Sequence, residues 1–142
     1  MYYQDPAYNR EQELIKDLEK AINGEYSAIQ CYERLAGVAK DVKERNRILE
    51  IRQDEIKHFN AFTGIYEALT GMKPTPQIIG FCPTKYLAGL EASIIDEQET
   101  VDDYLDIAQT TENRMIKKVF RDAAADEQNH AVWFLYFYTK NK

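Results

Sequence analysis

The sequence predicts an all-α fold, a four-helix bundle in which one long crossover joins the second and third helices. Three observations carry this. Apolar residues recur in steps of three and four along four segments, separated by two short turns and one proline-rich loop. The pattern Glu-x-x-His occurs twice, as Glu55-Ile56-Lys57-His58 and Glu127-Gln128-Asn129-His130, and uses the only two histidines of the chain. The copies lie 72 residues apart, and the same offset carries Glu25 onto Glu97 and Tyr32 onto Tyr104. The second half of the chain therefore repeats the first.

Residues 1–9 read as an N-terminal tail and residues 10–142 as one bundle domain. Asn9 can cap a first helix that runs to about residue 40, with Leu14, Leu18, Ala21, Ala28, Tyr32, Leu35 and Ala39 on one face. Asp41 followed by Glu44 is a capping-box signature for a second helix, whose stripe is Ile48, Ile51, Phe62, Ile65 and Leu69. Gly71 is a natural stop. Residues 71–83 hold Pro74, Pro76 and Pro83 with Gly71 and Gly80, a loop composition. Thr84 can cap a third helix bearing Leu87, Leu90, Ile94, Val101, Tyr104 and Ala108. Thr110 or Thr111 opens a fourth, bearing Ile116, Phe120, Ala123, Phe134 and Phe137.

Short turns make helices one and two antiparallel, and likewise three and four. The second helix would be roughly 42 Å long at 1.5 Å per residue. The loop after it can stretch to roughly 43 Å at about 3.3 Å per residue, enough to span the bundle lengthwise. Helix three would then run parallel to helix two. Between residues 22–66 and 94–138 nine aligned positions are identical, and they include the Glu, His, Asp and Tyr set. Chance would give about three.

Put back into the stripes, Glu25, Glu55, His58, Glu97, Glu127 and His130 all occupy core positions of their helices. Glu and His three apart share one helix face. Four ionised glutamates buried together would repel and lose hydration. Two divalent cations would neutralise them, and so a two-metal site is predicted. Oxygen and imidazole donors suit iron or manganese, and the lack of thiolate argues against structural zinc. Asp54 and Asp126 can reach the histidine of the opposite half, because a metal-bound imidazole normally donates its other N–H to an acceptor. Tyr32 and Tyr104, seven residues past Glu25 and Glu97, can hydrogen-bond to a glutamate of the site.

Composition bounds the rest. A net charge of -6 and a pI near 5.0 argue against nucleic acid or an anionic membrane as partner. No apolar run reaches membrane-spanning length, and Met1 to Pro6 do not read as a signal peptide. Cys31 and Cys82 form no C-x-x-C pair and suggest neither a disulfide scaffold nor a zinc or rubredoxin-type centre. Cys31 reads as an inert small apolar residue, Cys82 as a loop residue, and a reducing cytoplasm as the setting. Ala131 to Tyr138 is apolar around the whole helix, which points to a subunit contact.

The ordered set Glu, Glu-x-x-His, Glu, Glu-x-x-His resembles the ferritin-like di-iron carboxylate superfamily over residues 10–138. It is most similar to the rubrerythrin-like branch, with bacterioferritin as a relative. The resemblance implies a ferritin-like bundle with two iron ions per chain. Glu25 and Glu97 would be terminal ligands, Glu55 and Glu127 bridges, and His58 and His130 would bind one iron each. Asp54 and Asp126 match the aspartates that orient the histidines. Three departures stand out. There is no pair of C-x-x-C motifs of a rubredoxin domain. Thr100 stands where archetypal rubrerythrins carry an extra glutamate, which speaks against a redox-linked exchange of Glu for His. Only Thr139 to Lys142 follow the fourth helix, so a dimer is expected rather than a cage.

The expected function is a non-haem di-iron oxidoreductase acting on hydrogen peroxide or dioxygen. It would use an external electron donor such as a rubredoxin-like protein and work as a homodimer. The alternatives are ferroxidase and iron storage, a metal-stabilised structural protein, or a manganese enzyme or oxygenase using the same residues.

Overall fold

The computed structural model describes residues 5–142, arranged as four α-helices. They are α1 (Pro6–Val38), α2 (Val42–Thr70), α3 (Tyr86–Thr110) and α4 (Arg114–Asn141). The start of the expected tail, residues 1–4, lies outside the described residues. The rest of it differs from expectation, because α1 begins at Pro6 rather than after Asn9. Asp5 is the N-cap, accepting from the Ala7 N–H at 3.0 Å, and Pro6 occupies a first-turn position that needs no donor.

The two hairpin turns are capped alike. At the first, Asp41 accepts from Lys43 and Glu44 N–H, and Arg45 donates to the Ala36 carbonyl at the end of α1. At the second, Asn113 accepts from Met115 and Ile116 N–H, and Lys117 donates to the Ala108 carbonyl. All three pairs, Asp41/Asn113, Arg45/Lys117 and Ala36/Ala108, obey the 72-residue offset. The fourth helix thus starts from Asn113, not from Thr110 or Thr111. Asn is the stronger cap, and Thr110 bonds back to the Asp106 carbonyl. Helix α3 likewise starts one residue later than Thr84 allows, after Lys85, with no side-chain cap.

Glu44 does not complete a capping box. It is buried and turned into the bundle end, where it accepts from Tyr86 Oη at 2.7 Å and Asn141 Nδ2 at 2.9 Å. Lys140 Nζ lies 3.4 Å away. One acid thereby ties the start of α3 and the end of α4 to α2.

Gly71 closes α2 in the left-handed region (φ 71°), a conformation open to glycine, and residues 71–85 form the crossover. The crossover lies along α1 and is anchored at three points spaced one helical turn apart. Gln77 N–H donates to Asn23 Oδ1 at 2.9 Å and Ile79 N–H to Ser27 Oγ at 2.8 Å. Cys82 is disulfide-bonded to Cys31. The anchors advance in the same order on both segments, so the crossover runs parallel to α1 and α3 returns parallel to α2. The bond also overturns the reading of Cys31 as an inert apolar residue, and it removes the cysteine argument for a reducing compartment. Residues 51 apart in sequence meet only because the crossover is laid on α1, which no local spacing announces.

Helix α1 packs mainly on α2 and α3 mainly on α4. Two apolar clusters result, one towards each end of the bundle. In one, Phe62 stacks on Phe120 at 4.4 Å between ring centroids, with Tyr104 edge-on to both and Leu18, Ile65 and Ile107 around them. The other gathers Tyr32, Leu35, Ile48, Leu90, Phe134 and Phe137. In the aromatic stretch of α4, Ala131, Phe134 and Phe137 are buried, and Trp133 is half-buried beneath the Arg47 guanidinium at 4.2 Å. Val132, Leu135 and Tyr136 remain more than half exposed. No helix among the described residues is long and apolar enough to cross a membrane.

Phe120 is fully buried in the ring stack, and so Phe120→Ala should lower the unfolding free energy by about 3–5 kcal/mol. A urea titration measures this, and a loss below about 1 kcal/mol would contradict the packing described.

Candidate metal centre

Between the two apolar clusters lies a polar layer. Glu25 comes from α1, Glu55 and His58 from α2, Glu97 from α3, and Glu127 and His130 from α4. Each glutamate is 1% exposed, and His58 and His130 are 7% and 0% exposed. Their side chains converge in two groups, Glu25, Glu55, His58, Glu127 and Glu55, Glu97, Glu127, His130. Within each group one nitrogen or oxygen per residue lies within 4.8 Å of all the others. Glu55 and Glu127 belong to both groups. The two glutamates of the repeated motif therefore stand where one carboxylate can touch two cations, while Glu25 and Glu97 each serve one group. His58 Nδ1 is 2.9 Å from Glu127 and 3.7 Å from Glu25. His130 Nδ1 is 3.4 Å from Glu55 and 3.6 Å from Glu97.

The histidines are oriented from outside the layer, each by the opposite half of the chain. His58 Nε2 lies 2.8 Å from Asp126 Oδ2, and His130 Nε2 lies 2.8 Å from Asp54 Oδ2. A carboxylate can only accept, so Nε2 carries a hydrogen and Nδ1 is the nitrogen that faces inward, where a cation would take the place of its proton. The tyrosines cross as well: Tyr32 Oη donates to Glu97 Oε1 and Tyr104 Oη to Glu25 Oε1. Glu25 and Glu97 thus each have one oxygen held by a tyrosine and the other buried without a partner. Thr100 Oγ1 bonds back to the Asp96 carbonyl at 2.8 Å.

One atom from each of the six residues finds no hydrogen-bond partner: Glu25 Oε2, Glu55 Oε1, His58 Nδ1, Glu97 Oε2, Glu127 Oε1 and His130 Nδ1. Buried polar atoms are rarely left so, because each such atom costs on the order of 1–3 kcal/mol. Six unpartnered ligand atoms in one buried layer, four of them from carboxylates, match two divalent cations in number and in charge. Burial and the neighbouring carboxylates push the Glu55 and Glu127 carboxyls well above the usual range. Burial opposes charge on the His58 ring, but Glu127 and Glu25 outweigh it and raise that pKa to about 11. Burial and the adjacent Glu97 and Glu25 likewise raise the Tyr32 and Tyr104 phenols, which stay protonated and keep donating.

Beside this layer a cavity of about 790 Å³ lies between α1, α3 and the crossover, and Tyr32 lines its wall. The crossover anchors Asn23 and Ser27 and the Cys31–Cys82 pair escape sequence reasoning. Only the i, i+4, i+8 spacing of Asn23, Ser27 and Cys31 on α1 hints at a shared partner.

Glu55→Ala or Glu127→Ala should abolish paired metal occupancy, since each change withdraws a ligand from both groups. Metal analysis finding two ions per chain in either variant would show that neither residue bridges. Stability should follow pH through the same groups. In the metal-free protein the raised carboxyl pKa values favour the fold below the unfolded value near about 4.3, and that support is lost as pH climbs above it. The raised His58 pKa acts in the same direction, its contribution being full below about 6.5 and lost as pH rises towards about 11. Bound cations replace the protons. The metal-loaded protein should therefore melt well above the metal-free one at pH 7, with the gap narrowing towards pH 5. Coincident melting curves after confirmed metal removal would refute this.

Comparison with known proteins agrees with the geometry. Residues 89–142 match the rubrerythrin family model. The chain is 50% identical over 137 residues to the uncharacterized protein YhjR of Bacillus subtilis, covering 96% of this chain and 94% of that one. It is 33% identical over 95 residues to a ferritin-like–encapsulin shell fusion protein of Pyrococcus furiosus, covering 67% of this chain and 27% of that protein. Its fold superposes on a bacterioferritin of Desulfovibrio desulfuricans, described with a diiron site, at a TM-score of 0.83 and 21% identity over 96% of this chain and 84% of that one. Residues 89–142 carry the rubrerythrin-family match, and the fold of the chain is the ferritin-like four-helix bundle.

Proposed function

We propose that this protein is a non-haem di-iron oxidoreductase that reduces hydrogen peroxide, or dioxygen, with electrons from an external donor. The observation that carries the reading is the pair of Glu/His groups sharing Glu55 and Glu127. A reduced iron pair bound in this layer would supply two-electron chemistry toward an O–O bond, hydrogen peroxide with two protons giving two waters. The chain's own residues bind and orient. Glu55 and Glu127 would span both ions, Glu25 with His58 and Glu97 with His130 would complete each side, and Asp126 and Asp54 hold Nδ1 of each imidazole inward. Tyr32 and Tyr104 keep one oxygen of Glu97 and Glu25 occupied. The apolar clusters exclude bulk water from both ends of the layer. Oxygen-rich ligation is equally suited to manganese, which is the alternative occupant.

The donor in this reading is an external rubredoxin-like protein. The exposed Val132, Leu135 and Tyr136 on α4 favour a homodimer through that face. A second reading, ferroxidase activity that feeds an iron store, is favoured by the likeness to the ferritin-like–encapsulin fusion protein.

Anaerobic Fe(II)-loaded protein mixed with one equivalent of peroxide should oxidise at least about tenfold faster than in air-saturated buffer, a barrier lower by about 1.4 kcal/mol. Equal or slower oxidation by peroxide would favour the ferroxidase, and a redox-silent metal would leave a structural role. Native mass measurement should find a dimer, and a 12- or 24-subunit shell would replace the peroxidase reading with storage.

A further inference from the structure

The Cys31–Cys82 pair takes no part in the metal layer, yet its surroundings are specific. Cys31 immediately precedes Tyr32, whose hydroxyl holds Glu97. Cys82 is the last of the three crossover anchors, after Gln77 on Asn23 and Ile79 on Ser27. The first two anchors are single hydrogen bonds from exposed backbone. The third is covalent. Both cysteines line the cavity of about 790 Å³ between α1, α3 and the crossover, where Tyr32 forms part of the wall. Neither is fully buried. Beside them Gly80 turns the chain with φ 75°, and Phe81 is left 85% exposed. The arrangement is also one-sided. By the 72-residue offset Cys31 corresponds to Asp103, so the other half of the bundle has no such bond. A staple needed for the bundle itself would be expected to join helices, whereas this one joins a helix to a strap.

We propose that Cys31 and Cys82 form a second, redox-active site, in which exchange with an external dithiol unlatches the crossover from the cavity beside Tyr32. In the reducing direction a thiolate of the dithiol attacks one sulfur of the pair, forming a mixed disulfide and breaking the Cys31–Cys82 bond. The second thiolate of the reagent resolves the mixed disulfide. Two electrons pass to the chain, two protons end on Cys31 and Cys82, and the reagent leaves as a cyclic disulfide. Oxidation reverses this with an external disulfide as acceptor. The reduced strap keeps only its hydrogen bonds to Asn23 and Ser27, and the cavity wall opens at the Cys82 end. The four helices are not joined by the bond and remain packed on their apolar clusters. This site depends on no metal, and its test is indifferent to the reaction at the Glu/His layer.

The full-length protein is incubated with dithiothreitol without denaturant, then alkylated and weighed, with circular dichroism and hydrogen exchange recorded in parallel. Two alkylated cysteines with unchanged helicity are expected. The Gln77 and Ile79 amides should exchange at least tenfold faster, amides of the buried helix faces should not change, and protection should return on reoxidation. In Cys31→Ser/Cys82→Ser the strap should exchange fast from the start and ignore dithiothreitol. Thiols that appear only in denaturant, strap exchange unmoved by reduction, or collapse of the whole bundle on reduction would each overturn the proposal. All three are read on the unmodified chain, so the proposal stays testable if the double variant does not fold.

Discussion

Four carboxylates crowded into the middle of an apolar bundle are the constraint on which the rest of the structure depends. Without counter-charge they repel one another across a medium that screens them poorly. Burial and that repulsion push Glu55 and Glu127 towards their protonated forms. The bundle answers with fixed partners around the rim and leaves the centre unsatisfied. Aspartates take the outer imidazole nitrogens, tyrosines take one oxygen each of Glu25 and Glu97, and six unpartnered ligand atoms remain inside. A core built for stability alone would place Leu or Ile at these positions, and the layer has instead the composition of a cation site.

Each rim contact crosses from one half of the repeat to the other. Asp126 of α4 holds His58 of α2, and Tyr32 of α1 holds Glu97 of α3. Neither hairpin completes a Glu/His group alone, so a cation bound there would tie the two halves together. The helices meet weakly across that boundary compared with the contact inside each hairpin. The polar layer and the aromatic stack of Phe62 on Phe120 supply the joint, and cations bound there would stabilise it further.

The crossover breaks the symmetry. Its three anchors fall on α1 alone, and the cavity they border reaches the Tyr32 side of the layer. A site that is nearly twofold in its ligands thus has one face bounded by a disulfide-tethered strap. Function that treats the two metal positions differently would arise from that strap rather than from the ligands.

Much of this was legible in the residues themselves. Helix number, direction and the six converging side chains follow from a 3.6-residue period, a short-turn rule and one repeated Glu-x-x-His motif, all of them local or periodic properties. The same repeat, applied to Asp41, points to Asn113 as the fourth helix cap, ahead of Thr110 and Thr111. Other features were decided only by the tertiary structure. Glu44 satisfied the local signature of a capping box but found stronger partners in Tyr86 and Asn141, contributed by distant segments. Cys31 and Cys82 carried no motif, and laying the crossover along α1 brought their Cα atoms to 5.6 Å. Local spacing specifies which face of a helix a residue occupies. What it meets across that face depends on how the helices and the crossover are laid against one another, and that is a property of the packed chain.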